Sequence, residues 1–472
     1  MDLEKISASE AAEAIRKKEI KVRELTEKVL ALIKEKDQKH KAFIRLTPEL
    51  ALKQADKNDS LIEEGKEITP LTGLPFAYTD DFSLQDVESA SCSNILKGLK
   101  PPFSASVIEK AEVSGVVTAG KTNIGEFGMG YDTDTSCFQA TENPLESGRV
   151  AGCGSAAAVS YCGPLIGIST DTAGELRLAA SFCGVTALRP TAGTVSRYGI
   201  SMYASSFSQV GIAAKKAADL LPAFELLKGY DPKDSATSFY NNYDSAGTGR
   251  GIKEKPVIGF LPGLLENIDS EKASVFQEVN SFFSDSDYKI KELSIPYFEE
   301  ALLAFHIIAM AESFSNLSRY DSIRFGNYLE EDSLEERYVK TRSEFIGTEA
   351  KRRSLMGAYL TNNENYSKYY TRALKVKSAL KKSFDIALEE VDVIMLPAAA
   401  STAPDRKADL GFTEKYEVEK FCAPISLTGL PAVVVPAGYC NKMPLGMQIV
   451  GRHFSEHMLS ALADFYQSKA GK

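Results

Sequence analysis

Apolar residues along this chain follow two periods. Short, nearly unbroken apolar runs recur: Pro75-Phe76-Ala77-Tyr78, Val116-Val117-Thr118-Ala119, Pro256-Val257-Ile258-Gly259-Phe260-Leu261, Val391-Asp392-Val393-Ile394-Met395-Leu396, Ala432-Val433-Val434-Val435 and Gly446-Met447-Gln448-Ile449-Val450-Gly451. Runs of this kind suit strands covered on both faces. Helical patterns alternate with them. Ser7-Ala8-Ser9-Glu10 is a capping box that opens a first helix. Leu25, Val29, Leu30 and Ile33 place one apolar face on a second, Val22 to Lys36. The spacing predicts further helices at the start of 105–119 and over 213–227, 270–285 and 297–320. Asn241 to Lys255, with Gly247, Gly249 and Gly251, reads as a flexible connection. This alternation predicts an α/β fold with a large, mixed, mostly parallel central sheet and helices on both faces.

Composition narrows the class. At 472 residues the length alone allows about three domains, yet no linker rich enough to separate them appears. Apolar content of 44% and charged content of 25% are ordinary for a soluble globular protein. The net charge of −9 argues against a nucleic-acid surface spread over the whole chain. No run approaches the ~18 apolar residues of a membrane span, and Met1-Asp2-Leu3-Glu4-Lys5 lacks an apolar signal region. Seven cysteines scattered through apolar surroundings read as reduced, buried thiols of a cytoplasmic protein. His453 and His457 have helical metal spacing but no third ligand, so no metal is expected, and no cofactor motif appears.

The chemistry concentrates between Val150 and Gly199. Gly152-Cys153-Gly154-Ser155-Ala156-Ala157-Ala158-Val159 is too poor in bulky side chains to fill a core by itself. It suits a helix packed tightly on a sheet, or backbone amides brought close to a ligand. Asp171-Thr172, Gly174, Arg177, Phe182-Cys183-Gly184, Pro190-Thr191 and Val195-Ser196-Arg197-Tyr198-Gly199 follow. With Ser155 to Val159, these residues resemble the signature region of the amidase signature family, which reads roughly GGSSGGSAAAV, a spacer, DTGGSIR and FCG(V)xGLKPTxGRVSRxG. Gly120-Lys121-Thr122-Asn123 and Glu126 to Gly130 resemble a second family motif. The resemblance runs nearly the length of the chain. It implies a single amidase-signature domain over 1–472, with a signature core at about 70–215 and C-terminal strands at about 390–452 completing the same sheet.

The resemblance also implies a Ser nucleophile, a bridging Ser and a Lys, because a hydroxyl attacks an amide only when a neighbouring base takes its proton. The residues at those places differ. The nucleophile's place falls on Glu175, and the Lys's place on Thr79 in Gly73-Leu74-Pro75-Phe76-Ala77-Tyr78-Thr79-Asp80-Asp81. The bridging Ser is deleted or represented by Cys153, in a segment about three residues shorter than the family's. No intact catalytic set is therefore expected. Glu175 should lie at the base of a cleft near Thr79 and Cys153, with Arg177 or the hydroxyls of Thr79, Thr170 and Thr172 as partners. Cys153, between two glycines, is a candidate substitute nucleophile. Lys121 reads as structural: it is not the family's base, and the phosphate-loop spacing GxxxxGK[ST] is absent.

Ser315 to Gly326 and Lys351 to Gly357 resemble the A subunits of glutamyl-tRNA(Gln) amidotransferases in particular. There an Arg holds the α-carboxylate of glutamine and an Asp holds its amine. Those places fall on Arg352 or Arg353, with Arg353 favoured, and on Glu419. An Arg suits the task because its planar fork matches a carboxylate. The substrate-binding set expected is Thr170, Asp171, Thr172, Gly174, Arg353 and Glu419, for glutamine or another small amide. Expected partners are B-like and C-like amidotransferase subunits, with tRNA contacted only indirectly and no membrane. The function expected is a catalytically inactive pseudoamidase with a structural, ligand-binding or partner-binding role. The alternative is a glutamine-hydrolysing A-type protein with a rebuilt active site, supplying ammonia for Gln-tRNA(Gln) formation.

Overall fold

The computed structural model describes residues 2–242, 255–321, 323–408 and 410–471. Eleven strands form one sheet: β1 (Phe43–Leu46), β2 (Pro75–Thr79), β3 (Val117–Thr122), β4 (Ile166–Asp171), β5 (Thr186–Arg189), β6 (Gln209–Ala214), β7 (Ile258–Phe260), β8 (Ile290–Glu292), β9 (Val393–Pro397), β10 (Ala432–Cys440) and β11 (Met443–Gly451). Their order across the sheet is β1-β3-β2-β4-β6-β5-β10-β11-β9-β7-β8. The six apolar runs read from the sequence hold β2, β3, β7, β9, β10 and β11, and most residues of these strands are buried, as a doubly covered sheet requires. Residues 150–200 and 390–450 share the sheet directly, with Ala187 of β5 opposite Val434 of β10.

The sheet is mixed, but its middle is antiparallel rather than mostly parallel. β2 pairs in parallel with β3 and β4, and β7 with β8 and β9. The pairs from β4 through β6, β5, β10 and β11 to β9 are all antiparallel. Two local causes account for this. β4 and β5 run the same way, joined by the helix Glu175–Cys183, yet β6 returns in the opposite sense and inserts between them. β10 and β11 are joined only by Asn441 and Lys442, with φ of 49° and 67°, a two-residue hairpin that forces antiparallel pairing.

The predicted capping box is present: the Glu10 N–H donates to Ser7 Oγ at 3.2 Å, and the Ser7 N–H to Glu10 Oε2 at 2.7 Å. The second helix extends to His40. The helix expected over 213–227 is shorter. Ala213 and Ala214 close β6, and the α-helix spans Leu220–Leu227. The connection read over Asn241 to Lys255, with Gly247, Gly249 and Gly251, lies almost wholly outside the described residues.

The small-residue run packs a helix onto the sheet. The helix Gly154–Tyr161 starts so close to β1 and β3 that a Cβ on Gly154 would meet the Ala42 carbonyl oxygen at 2.1 Å and the Asn123 nitrogen at 2.6 Å. Ser155 Oγ donates to the Ile168 carbonyl of β4 at 3.0 Å, securing the contact.

Candidate functional site

The turn from β4 into the helix Glu175–Cys183 carries the central geometry. Gly174 has φ of 122°, and a Cβ there would meet Cys422 Cβ at 2.2 Å, so only glycine fits. This conformation turns successive N–H groups toward one point beside the helix N-terminus, an anion-binding arrangement. The occupant is the chain's own side chain. Glu175 Oε2 accepts the backbone N–H of Thr172 at 2.5 Å, of Ala173 at 3.0 Å and of Gly174 at 3.3 Å. Its other oxygen, Oε1, accepts the Tyr203 hydroxyl at 3.3 Å. Burial pushes the Glu175 carboxyl up to about 8, the charges of Asp171 and Glu419 add to the shift, and the backbone bonds oppose it. At neutral pH the group is mostly protonated.

The partners foreseen for Glu175 are engaged elsewhere. Arg177 serves Asp171, donating through Nε at 3.0 Å and Nη2 at 2.9 Å, and also reaches Gln448 and Ser426 at 2.8 Å each. Arg189 meets the same Asp171 carboxylate at 3.0 Å. All three side chains are inaccessible. Burial raises the Asp171 carboxyl, but the two guanidinium groups outweigh it and hold the group below the usual range. Thr172 Oγ1 lies 2.8 Å from Ser208 Oγ, and Thr170 donates to Asp81 Oδ2 at 2.5 Å. None of Thr170, Asp171, Thr172 and Gly174 lines the cleft described below.

Thr79 ends β2 and donates to Asp81 Oδ1 at 2.5 Å. Lys121 is fully buried and donates to the Phe82 carbonyl. Burial lowers its pKa, against the charges of Asp80 and Asp81. Cys153 precedes the helix Gly154–Tyr161, and burial pushes its thiol up to about 11, far from the thiolate a sulfur nucleophile needs. Among the described residues no hydrogen bond joins Glu175 to Thr79 or to Cys153.

A cleft of about 290 Å³ opens nearby, lined by Tyr131, Asp132, Glu349, Arg353, Tyr416 and Glu419 among others. It separates the two arginines that the sequence left open. Arg352 bonds Glu349 and lies 4.5 Å from the Phe412 ring, while Arg353, one position on, turns inward. Arg353 Nε donates to Glu349 Oε1 at 2.6 Å, and its buried Nη1 has no hydrogen-bond partner among the described residues. Among the described residues neither carboxylate oxygen of Glu419 has an aligned hydrogen-bond donor. Glu419 Oε2 is 3.2 Å from His306 Nε2, and the His306 ring lies 3.9 Å from that of Tyr416. Burial keeps His306 below its usual pKa, with Glu419 opposing. Tyr203 bridges the two halves of the site: its hydroxyl meets Glu175, and the Arg353 guanidinium lies 5.3 Å from its ring centre.

Sequence reasoning missed Tyr203, His306 and Glu349. His306 offered one signal, a histidine set between Phe305 and Ile307 in the apolar stretch of the helix Phe298–Leu317. Tyr203 and Glu349 offered none, because each is placed by contacts distant in sequence. Of the 453–457 pair, His457 Nε2 lies 2.9 Å from Glu225 Oε1.

Comparison with known proteins agrees with this architecture. Residues 24–460 match the Amidase family model. The chain is 37% identical to the glutamyl-tRNA(Gln) amidotransferase A subunit of Lachnoclostridium phytofermentans, covering 97% of this chain and 95% of that protein. It is 36% identical to its counterpart in Thermoanaerobacter pseudethanolicus, covering 97% and 94%. The crystal structure of the Thermotoga maritima glutamyl-tRNA(Gln) amidotransferase A subunit superposes with a TM-score of 0.77 at 26% identity, over 99% and 96% of the two chains. The peptide amidase of Stenotrophomonas maltophilia shares the fold, with a TM-score of 0.80 at 23% identity over 98% and 97%. This chain belongs to the amidase signature family.

Proposed function

We propose that this protein is the A-type component of a glutamine-dependent amidotransferase assembly, whose cleft holds an amino-acid amide by its ammonium and carboxylate groups. The observation that carries this reading is the presence in one cleft of Arg353 Nη1 and the Glu419 carboxylate, both buried and both without an aligned hydrogen bond among the described residues. A buried polar atom left without a hydrogen bond is costly, and a zwitterion would supply partners to both groups at once. Thirty-seven per cent identity over nearly the whole chain to an amidotransferase A subunit supports the assembly role. Partners of the B and C type are proposed with it, and the net charge of −9 fits tRNA contacts made by another component. The continuous sheet supports reading 1–472 as one domain.

Different observations favour two versions of its chemistry. Whole-chain similarity favours a working protein that hydrolyses glutamine and supplies ammonia for Gln-tRNA(Gln) formation. In that version the Glu175 carboxylate leaves its cradle and accepts a proton from the water that attacks the amide, so turnover rises as pH passes about 8. The local geometry favours a protein that binds without hydrolysing. An amidase needs free donors where negative charge develops on the carbonyl oxygen, and here Glu175 occupies the backbone donors of its own turn. Thr79 is no base, and the Cys153 thiol is buried and neutral.

Glutamine titration by calorimetry, with glutaminase assay of the chain alone and with B- and C-type subunits, tests both levels. Absence of glutamine binding sinks the proposal itself. Binding with turnover that survives Cys153→Ala and is lost in Glu175→Gln supports the hydrolysing version. Binding without turnover supports the silent one. Turnover abolished by Cys153→Ala would assign the thiol instead.

A further inference from the structure

The helix Thr348–Thr361 brings Glu349 and Arg353 to the cleft, and its start is held by a distant part of the chain. Its N-cap is Gly347, which has no side chain to offer. The third helical position, from which a glutamate would bond back to the N-cap N–H, is Ala350. Glu349, the acidic residue of the first turn, is committed to the arginines: its Oε1 accepts from Arg352 Nη2 and Arg353 Nε at 2.6 Å each. Glu126 supplies the missing acceptor. Its side chain is buried, and both its carboxyl oxygens accept the Gly347 N–H at 3.0 Å. Oε1 also accepts the Ser93 hydroxyl at 2.5 Å. The helix dipole favours an acidic group at this end.

Gly347 makes the contact possible. Its φ of −69° is open to any residue, so the backbone does not call for glycine. A Cβ there would meet Glu126 Oε2 at 2.2 Å and Cδ at 3.0 Å, so a side chain at 347 would push the carboxyl group away. Glu126 also ties down a second stretch of the cleft lining, which runs from Met129 to Thr135. The Met129 N–H donates to the Glu126 carbonyl at 3.1 Å, and the Glu126 N–H donates to Thr135 Oγ1 at 3.0 Å. Two separate parts of the lining are therefore anchored at one buried residue that does not itself line the cleft.

We infer that Glu126 is a positioning residue for the bound amino-acid amide. By holding the start of Thr348–Thr361 it leaves Glu349 to grip Arg353 Nε, and so sets where Arg353 presents Nη1 against the 129–135 stretch. The inference rests on the amide-binding reading above and deepens it.

Calorimetric titration of the full chain with glutamine, together with hydrogen exchange over residues 347–351, tests it. Glu126→Ala and Glu126→Asp, the second too short to reach Gly347, should each weaken glutamine binding about tenfold and speed exchange over that segment. Glu126→Gln keeps an acceptor at Oε1 and should stay within about threefold of wild type. Gly347→Ala should cost about as much as Glu126→Ala and add little to it, because both break one contact. Should Glu126→Ala fail to fold, Glu126→Asp takes its place in this comparison. Faster exchange with unchanged glutamine affinity would make Glu126 structural only, overturning the inference while the amide-binding reading stands. Losses at Glu126 and Gly347 that simply add would overturn it too. A wild-type chain that binds no glutamine sinks the amide-binding reading, and this inference with it, whatever the exchange shows.

Discussion

Glu175 and Thr172 close a ring within one turn of chain: the carboxyl oxygen Oε2 of the first accepts the backbone N–H of the second at 2.5 Å. The side chain thus satisfies buried backbone donors of the turn that leads into the helix, which a ligand or water would otherwise have to meet. The same carboxyl touches Tyr203, whose ring faces Arg353 in the cleft. The cradle and the cleft are neighbours through a single tyrosine.

Removing the carboxyl should unsettle the turn more than it helps catalysis. Glu175→Ala strands the N–H groups of Thr172, Ala173 and Gly174 in a dry site, and leaving buried donors unmade costs about 1–3 kcal/mol. A loss of that size in urea denaturation is expected. Glu175→Ser alone should show no glutaminase activity, because Thr79 cannot take the hydroxyl proton. Measurable turnover in that single variant would refute this account of the site.

Stability should carry the signature of the raised Glu175 carboxyl. Its folded pKa is about 8 against an ordinary 4.5, so between these values the folded chain holds a proton that the unfolded chain has lost. That contribution is full below pH 4.5 and disappears as pH rises through about 8. Wild type should therefore lose stability relative to Glu175→Gln from mildly acidic to alkaline pH. Equal slopes for the two proteins over that range would show that the group does not titrate there.

Breaking the buried charge cluster behind the turn should be severe. Asp171→Asn leaves Arg177 and Arg189 inaccessible with no carboxylate between them. Removing one partner of a buried pair costs about 3–5 kcal/mol. Denaturant midpoints should fall accordingly. A shift near zero would mean that water or a neighbouring dipole already neutralises the arginines.

The cleft should discriminate between adjacent arginines. Arg353→Lys and Glu419→Gln should each weaken glutamine binding about tenfold to hundredfold, the worth of about 1.5–3 kcal/mol for a hydrogen bond to a charged group. Arg352→Lys, whose side chain lies against Phe412, should leave affinity within about twofold. Calorimetry reads all three. Equal losses at Arg352 and Arg353 would contradict the assignment of the inward arginine.

What the sequence determined by itself is local. Apolar runs marked the strands, the Ser7 and Glu10 pair marked a helix start, and the residues from Ser155 to Gly199 marked the family, because each signal depends on neighbours along the chain. Tertiary structure decided the rest. The antiparallel middle of the sheet exists because β6 inserts between β4 and β5, which no periodicity records. Arg353 faces the cleft and Arg352 does not because successive helical residues diverge by about 100° around an axis that packing alone orients. Glu175 reaches back to its own turn, while Arg177 is claimed by Asp171 along with Gln448 and Ser426, far along the chain. A side chain's partner is the group that shares its buried space, and that space is defined only once distant segments have packed around it.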